Sequence, residues 1–301
     1  MRTQSLLVLI IVWLISGCDS GQLEIWHTRH LNEEYDAGTR DEVKNFEEYM
    51  QLEERLFEQL QTRIYTEVPT GSGHELQRYS AGSKADPSDR QPNWNRSFEL
   101  GIGNTRGGVL LLHGMSDSPY SLRALGQALA AEGYRVLGLR LPGHGTIPAA
   151  LTSVKWRDMA AATNLAAAHL RAQLGEAPLH IVGYSNGAAL AINHALNATP
   201  EQRPASMVLI SPAIGLSRAA ALASWKRGMS YIPGLRRLAW SGIALEFDPY
   251  KYNSFATNAA EQVYLLTQHI NRAIVEDPSA AQALPPTLIF KSAVDATVSI
   301  D

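Results

Sequence analysis

Leu179-His180-Ile181-Val182-Gly183-Tyr184-Ser185-Asn186-Gly187-Ala188-Ala189-Leu190 is the stretch on which the reading of this chain turns. A short apolar run ends in Gly-x-Ser-x-Gly, and a helix of small residues follows. That is the strand–turn–helix context of a nucleophile elbow, in which the central serine occupies a sharp turn with its hydroxyl held beyond the carboxyl end of a sheet. Gly183 and Gly187 fit the same reading, because strand and helix approach so closely at such a turn that side chains would collide. Ala188 and Ala189 continue the low surface along the helix.

Outward from the elbow, apolar runs and helical patterns alternate. Residues 109–112 form a continuous apolar run, as expected for a strand covered on both faces. It leads into His113-Gly114-Met115-Ser116-Asp117, after which Ser118 and Pro119 suit the cap and first position of a helix. Leu122, Leu125, Leu129 and Ala130 are the expected buried face of that helix. Residues 136–139 predict the next strand, which runs into Leu141-Pro142-Gly143-His144-Gly145, and a long helix is expected over about 154–174. Residues 207–210 predict another strand. This alternation implies an α/β fold, a mostly parallel sheet with helices on both faces, and a ligand site beyond the carboxyl ends of its strands. Met115, His144, Ser185 and Ser211 all fall on that edge.

A serine hydroxyl attacks only when a base removes its proton, and the developing oxyanion needs two preorganised donors. The backbone N–H of Asn186, the residue after the nucleophile, offers one donor, and that of Met115 offers the other by position. His113 reads as a residue that holds its loop through hydrogen bonds, and His144 as one that orders its glycine-rich loop. Residues 285–295 predict a strand followed by an acidic loop. Asp295 then follows the nucleophile in the order Ser…Asp…His, where it would orient a histidine and stabilise its cation. Asp248 and Asp277 compete for that role, but neither follows a strand end. Between residues 212 and 277 the strand pattern stops. Leu222, Trp225, Met229, Tyr231, Leu238 and Trp240 read there as an apolar helical insert, either an acyl-chain pocket or a small core of its own. Arg227, Arg236 and Arg237 read as a solvated face, with an anionic head group as the alternative.

The chain has 301 residues, a formal net charge of −3, 45% hydrophobic and 18% charged residues, the range of one large globular domain. Its mild acidity leaves no electrostatic footprint for nucleic acid. Cys18 is the single cysteine, so no intramolecular disulfide framework forms. Arg2 and the apolar run 6–15 read as a signal segment, too short to span a bilayer. Thr39-Arg40-Asp41-Glu42 reads as a capping box. Val43, Phe46, Met50, Phe57, Leu60 and Ile64 then recur at helical spacing, interrupted by Glu53. This is a helix packed on the main domain or, alternatively, a partner-binding or membrane-proximal arm. The glycines of residues 101–107 precede a strand and read as a plain loop rather than a phosphate loop. His27 and His30 lack further ligands nearby and read as exposed, so no metal and no cofactor is expected.

Taken together, His113-Gly114-Met115, Leu141-Pro142-Gly143-His144-Gly145 and Gly183-Tyr184-Ser185-Asn186-Gly187 resemble the α/β-hydrolases of the monoacylglycerol lipase, lysophospholipase and carboxylesterase group. The resemblance runs from about residue 107 to the end. It implies a Ser–Asp–His triad, a cap after the sixth strand, and medium- or long-chain acyl esters as substrates. Ser292-Ala293-Val294-Asp295 is similar to the family's acid loop. Leu14-Ile15-Ser16-Gly17-Cys18 resembles a bacterial lipobox, which implies a lipid on Cys18 and anchoring in the cell envelope. Asp19 would favour the inner membrane of a Gram-negative cell. The expected organisation is a signal over 1–17, an amino-terminal helical arm and irregular segment over 18–100, and a hydrolase domain over 101–301 with its cap at about 213–277. No histidine follows Asp295, so the sequence reads as truncated at its carboxyl end, with an upstream histidine in the role as the alternative. Three functions stay open: a lipid-anchored serine esterase or lipase, a serine peptidase on the same scaffold, and an inactive relative that binds lipid or a partner.

Overall fold

Apolar runs of four to six residues, spaced by helices, are what the chain uses to build its sheet. The structure, a computed structural model, describes residues 22–39, 41–104, 106–214 and 236–291. Helix α1 spans Phe46–Leu60 and widens into a π-helical turn over Gln61–Tyr65. There follow β1 (Phe98–Leu100), β2 (Gly108–Leu112), α2 (Arg123–Ala131) and β3 (Arg135–Leu139). Next come α3 (Trp156–Leu174), β4 (Leu179–Tyr184), α4 (Asn186–Asn197) and β5 (Ser206–Ile210). The last described elements include β6 (Trp240–Gly242), β7 (Phe255–Ala256), α5 (Thr257–Glu276) and β8 (Thr287–Phe290).

The main sheet has the order β1-β3-β2-β4-β5-β8, with β1 antiparallel to β3 and every other pairing parallel. Strand β2 is buried along its whole length, which its unbroken Gly-Val-Leu-Leu-Leu composition requires. One face of the sheet packs Leu110, Leu112, Leu137 and Ile181 against α3, α4 and α5. The other face holds a smaller cluster of Val109, Leu111, Leu122, Val136 and Val182. Helix α2 covers that second face differently from expectation. Leu125 is exposed, and Gly126 is the buried residue, because a β-carbon there would already lie 3.1 Å from Leu111 and 3.4 Å from Phe98 and Val136. The backbone of α2 itself packs on the strands.

The segment before β2 is built into the same core. Tyr35, Val43, Phe46, Tyr49 and Leu52 belong to one cluster with the strands and with α3. Its helix starts later than the expected capping box at residues 39–42. Asn45 caps the helix by accepting the Glu48 N–H at 2.9 Å, and the Glu48 side chain accepts the N–H of Lys44, one residue before the cap. Glu53, which breaks the apolar stripe, is 1% exposed and pairs with Arg140, itself 1% exposed, at 3.0 Å. The same carboxylate accepts both the N–H and the hydroxyl of Ser97 at 2.9 Å. Glu34 supplies a second carboxylate to Arg140 at 3.1 Å, and the His144 carbonyl accepts from it at 2.9 Å.

Most of the apolar insert, including Leu222, Trp225, Arg227, Met229 and Tyr231, lies outside the described residues. Trp240 was expected on a helix, but it pairs with Ala256 in the β6–β7 hairpin. Arg236 and Arg237 are exposed. Helix α5 buries Ala259, Leu266 and Ile270 in the main core. Among the described residues no helix is long and apolar enough to cross a membrane. Cys18 and the signal segment lie outside them.

Candidate functional site

The elbow is fixed by contacts too close for any side chain. A β-carbon on Gly187 would lie 2.1 Å from the Leu112 carbonyl oxygen, and one on Gly183 would lie 2.5 Å from the Ala188 Cα. Both distances are well inside van der Waals contact, so β2, β4 and α4 meet here backbone to backbone. Ser185 turns the chain with φ 53° and ψ −111°. Its N–H donates to the Ile210 carbonyl at 2.9 Å, and its own carbonyl accepts from Ala188 at 3.1 Å and Ala213 at 3.2 Å. Among the described residues, the non-glycine residues with left-handed φ are Ser116, Ser185 and Ser211, each just beyond the carboxyl end of β2, β4 or β5. Such backbone costs roughly 1–3 kcal/mol per residue and persists where the surroundings over-determine it, most often at functional sites.

The loop after β2 lies against the elbow, since a β-carbon on Gly114 would be 3.4 Å from the Ser185 Cβ. The Gly114 carbonyl accepts from His113 Nδ1–H at 2.8 Å and from the Asp117 N–H at 3.3 Å. In a planar trans peptide the following N–H points opposite to that carbonyl, so these two bonds also aim the Met115 N–H. Among the described residues the amides of Met115 and Asn186 donate to no acceptor. Asn186 opens α4, where free N–H groups and the positive end of the helix dipole favour an anion. The Asn186 side chain is buried and turns to Met159 Sδ at 3.5 Å.

His113, His144 and His27 are hydrogen-bonded away from Ser185. His113 Nε2 accepts the Leu141 N–H at 3.1 Å, and burial, with His144 beside it, holds its pKa well below the ordinary value. His144 donates from Nδ1 to the Pro142 carbonyl at 2.9 Å, and burial lowers its pKa to about 4. His27 corrects the expectation of an exposed residue. It is buried, accepts the Glu24 N–H at Nδ1, and donates from Nε2 to Ser254 Oγ at 2.9 Å, and burial lowers its pKa to about 4. His30 is exposed. Among the described residues no side chain hydrogen-bonds to Ser185 Oγ, and no three His, Cys, Asp or Glu residues cluster as a metal site. Asp295 lies outside the described residues. Its two competitors are used locally. Asp248 accepts the amides of Tyr250 and Lys251, and Asp277 caps the turn that begins at Pro278.

One participant had no signal in the sequence. Tyr252 donates its N–H to the Ser116 carbonyl at 2.8 Å, and Tyr250 stacks on Tyr120 at 3.6 Å. Both tyrosines lie more than a hundred residues from the loop they touch, and no local pattern links them to it.

A family model described as serine aminopeptidase, S33, matches residues 103–298. Over 39 residues the chain is 54% identical to the thermostable monoacylglycerol lipase of Bacillus sp. (strain H-257). That match spans 13% of this chain and only 16% of the relative's length. A structure from work on LipS and LipT, two metagenome-derived lipolytic enzymes, superposes with a TM-score of 0.55 at 25% identity, covering 68% of this chain and 79% of that one. A soluble variant of monoglyceride lipase from Saccharomyces cerevisiae, bound to a substrate analog, shares the fold with a TM-score of 0.50 at 14% identity, over 65% of this chain and 82% of its own.

Proposed function

The chain belongs to the serine aminopeptidase S33 family of α/β-hydrolases, and from that premise we propose that it cleaves carboxylic esters, of the acylglycerol or lysophospholipid kind, through an acyl-enzyme on Ser185. The observation that carries this reading is the strained Ser185 with two amides on the segments around it, those of Met115 and Asn186, that have no acceptor among the described residues. A histidine base, the third member of the triad that the family resemblance implies, takes the Ser185 Oγ proton as that oxygen attacks the ester carbonyl carbon, and the two amides receive the negative charge that forms on the carbonyl oxygen. The ester C–O bond breaks, the alcohol leaves with that proton, and water, deprotonated by the same base, releases the acid. Asp295 is the proposed acid of the triad, five residues after the end of β8 in the sequence. The 54% identity over 39 residues to a monoacylglycerol lipase and the lipolytic structural relative favour an acyl ester as substrate. Lipid attachment at Cys18 would hold the enzyme at an envelope membrane, where such esters partition. Loss of metabolic acyl labelling in Cys18→Ala checks that part.

The test is labelling by a fluorophosphonate together with turnover of p-nitrophenyl esters from butyrate to palmitate. Labelling that disappears in Ser185→Ala supports the reading, and no labelling of the wild-type protein overturns it. The family description keeps peptide cleavage as a second reading. Amino-acid arylamides turned over faster than the esters would establish it.

A further inference from the structure

Met115 lies between two anchored carbonyls. On its amino side the Gly114 carbonyl is held by His113, whose other ring nitrogen accepts from Leu141 in the loop after β3. On its carboxyl side the Ser116 carbonyl is held by the Tyr252 N–H at 2.8 Å. Tyr252 also reaches the loop after β3, since its phenol oxygen accepts the Thr146 N–H at 2.8 Å and donates to the Gly143 carbonyl at 3.2 Å. Two residues on either side of Met115 therefore make the same kind of tie between the same two loops. The second tie comes from a segment that follows the apolar insert.

That segment is built as a rigid bracket. The Glu246 carboxylate accepts the amides of Asn253 and Ser254 at 3.0 and 2.8 Å. The Asn253 side chain accepts those of Phe247 and Asp248, and Asp248 accepts those of Tyr250 and Lys251. Arg78 donates its N–H to the Glu246 carbonyl at 2.8 Å and lays its guanidinium over the Tyr252 ring at 5.2 Å. Farther out, Tyr250 stacks flat on Tyr120 with 5° between the rings, and the Arg123 guanidinium covers the other side of Tyr120. The bracket thus grips the loop after β2 at Ser116 and again at Tyr120. Ser116 needs such a grip, because φ 63° is a strained conformation for a side-chain-bearing residue, and its relaxation would rotate the peptides beside Met115.

We infer that Tyr252 is a positioning residue for the oxyanion donor at Met115, with Tyr250 steadying the outer end of the same loop. The inference rests on the serine-hydrolase reading given above. Tyr252 acts through Ser116 and the Gly143–Thr146 backbone. A donor that is mis-aimed loses stabilisation of the transition state more than binding of the ester, so the effect falls on kcat and leaves KM in place.

The test uses the full chain and a p-nitrophenyl ester. Tyr252→Phe keeps the ring but severs the tie to Gly143 and Thr146. Its kcat is expected to fall about tenfold, less than the loss from deleting an oxyanion donor outright, with KM within about twofold. The inhibition constant of an alkyl boronic acid, which places an oxygen in the oxyanion position, is expected to rise by the same factor. Tyr65→Phe removes another buried phenol, bonded to Asp86 at 3.1 Å, and is expected to lower the melting temperature without changing kcat. Should Tyr252→Phe not fold, Tyr250→Leu reports on the same bracket through a kcat about threefold lower at unchanged KM. An unchanged kcat and boronate affinity in a folded variant, or a rise in KM alone, overturns the positioning role. A wild-type protein that no fluorophosphonate labels overturns the hydrolase reading and this inference with it.

Discussion

The buried Arg140 guanidinium is paired on all three of its nitrogens, whereas among the described residues two amides at Ser185 have no acceptor. The Arg140 guanidinium donates to two carboxylates and a carbonyl, and the Arg140 carbonyl accepts from Tyr49 Oη at 2.7 Å. At the elbow the backbone is left-handed and the free N–H groups face no protein partner among the described residues. Both places lie at the carboxyl edge of the sheet, Arg140 just after β3 and Ser185 just after β4, with β2 between them. The contrast separates two uses of buried polarity. On the function proposed above, the paired guanidinium holds the loop after β3 in place, and the acceptor-free amides are left for a charge that exists only during reaction.

The sharpest way to break this contrast is to exchange its two signatures. Ser185→Ala is expected to lower turnover by about 10⁴- to 10⁶-fold while leaving the urea midpoint unchanged. A comparable loss of stability would place Ser185 among the supports. Glu53→Gln is expected to do the reverse. It strands part of a buried positive charge and should cost roughly 3–5 kcal/mol of stability, read from urea denaturation, with ester turnover per folded molecule retained. Over the first pH unit below 6.5, acid comes next in size. His27 and His144 hold folded pKa values of about 4 against an ordinary 6.5, because burial disfavours their charged forms. Their stabilisation is therefore fully present above pH 6.5 and is lost as pH falls toward 4, by about 1.4 kcal/mol per pH unit for each ring. A flat stability profile between pH 6.5 and 5 would show that these rings are not buried neutral. The smallest effect is expected from Asn45→Ala, which loosens the start of α1 without touching the ion pair and should cost about 1 kcal/mol in the same denaturation assay.

What could be read in the chain and what could not divides along the same line. The elbow is local: Gly183, Ser185 and Gly187 lie within five residues, and each glycine answers a clash with backbone that the motif itself brings close. The strands were legible because full burial demands unbroken apolar runs, as in β2. Glu53 looked like an interruption because its partner Arg140 lies 87 residues away and no periodicity connects them. Leu125 was assigned to a buried face because the spacing of apolar residues does not show that a glycine allows the helix backbone itself to reach the sheet. Tyr252 leaves no trace in the sequence for two reasons: Ser116 lies 136 residues away, and the tie is made by a backbone N–H that almost every residue carries.

The Arg140 pairing bears on how the molecule can be cut. The family match starts at residue 103, yet both carboxylates that neutralise Arg140 come from Glu34 and Glu53. An expression fragment begun at residue 103 would leave a bare guanidinium within the apolar interior, along with an uncovered patch where Tyr49 and Leu52 had been. The smallest autonomous folding unit therefore reaches back at least to Glu34, some seventy residues ahead of where sequence kinship begins.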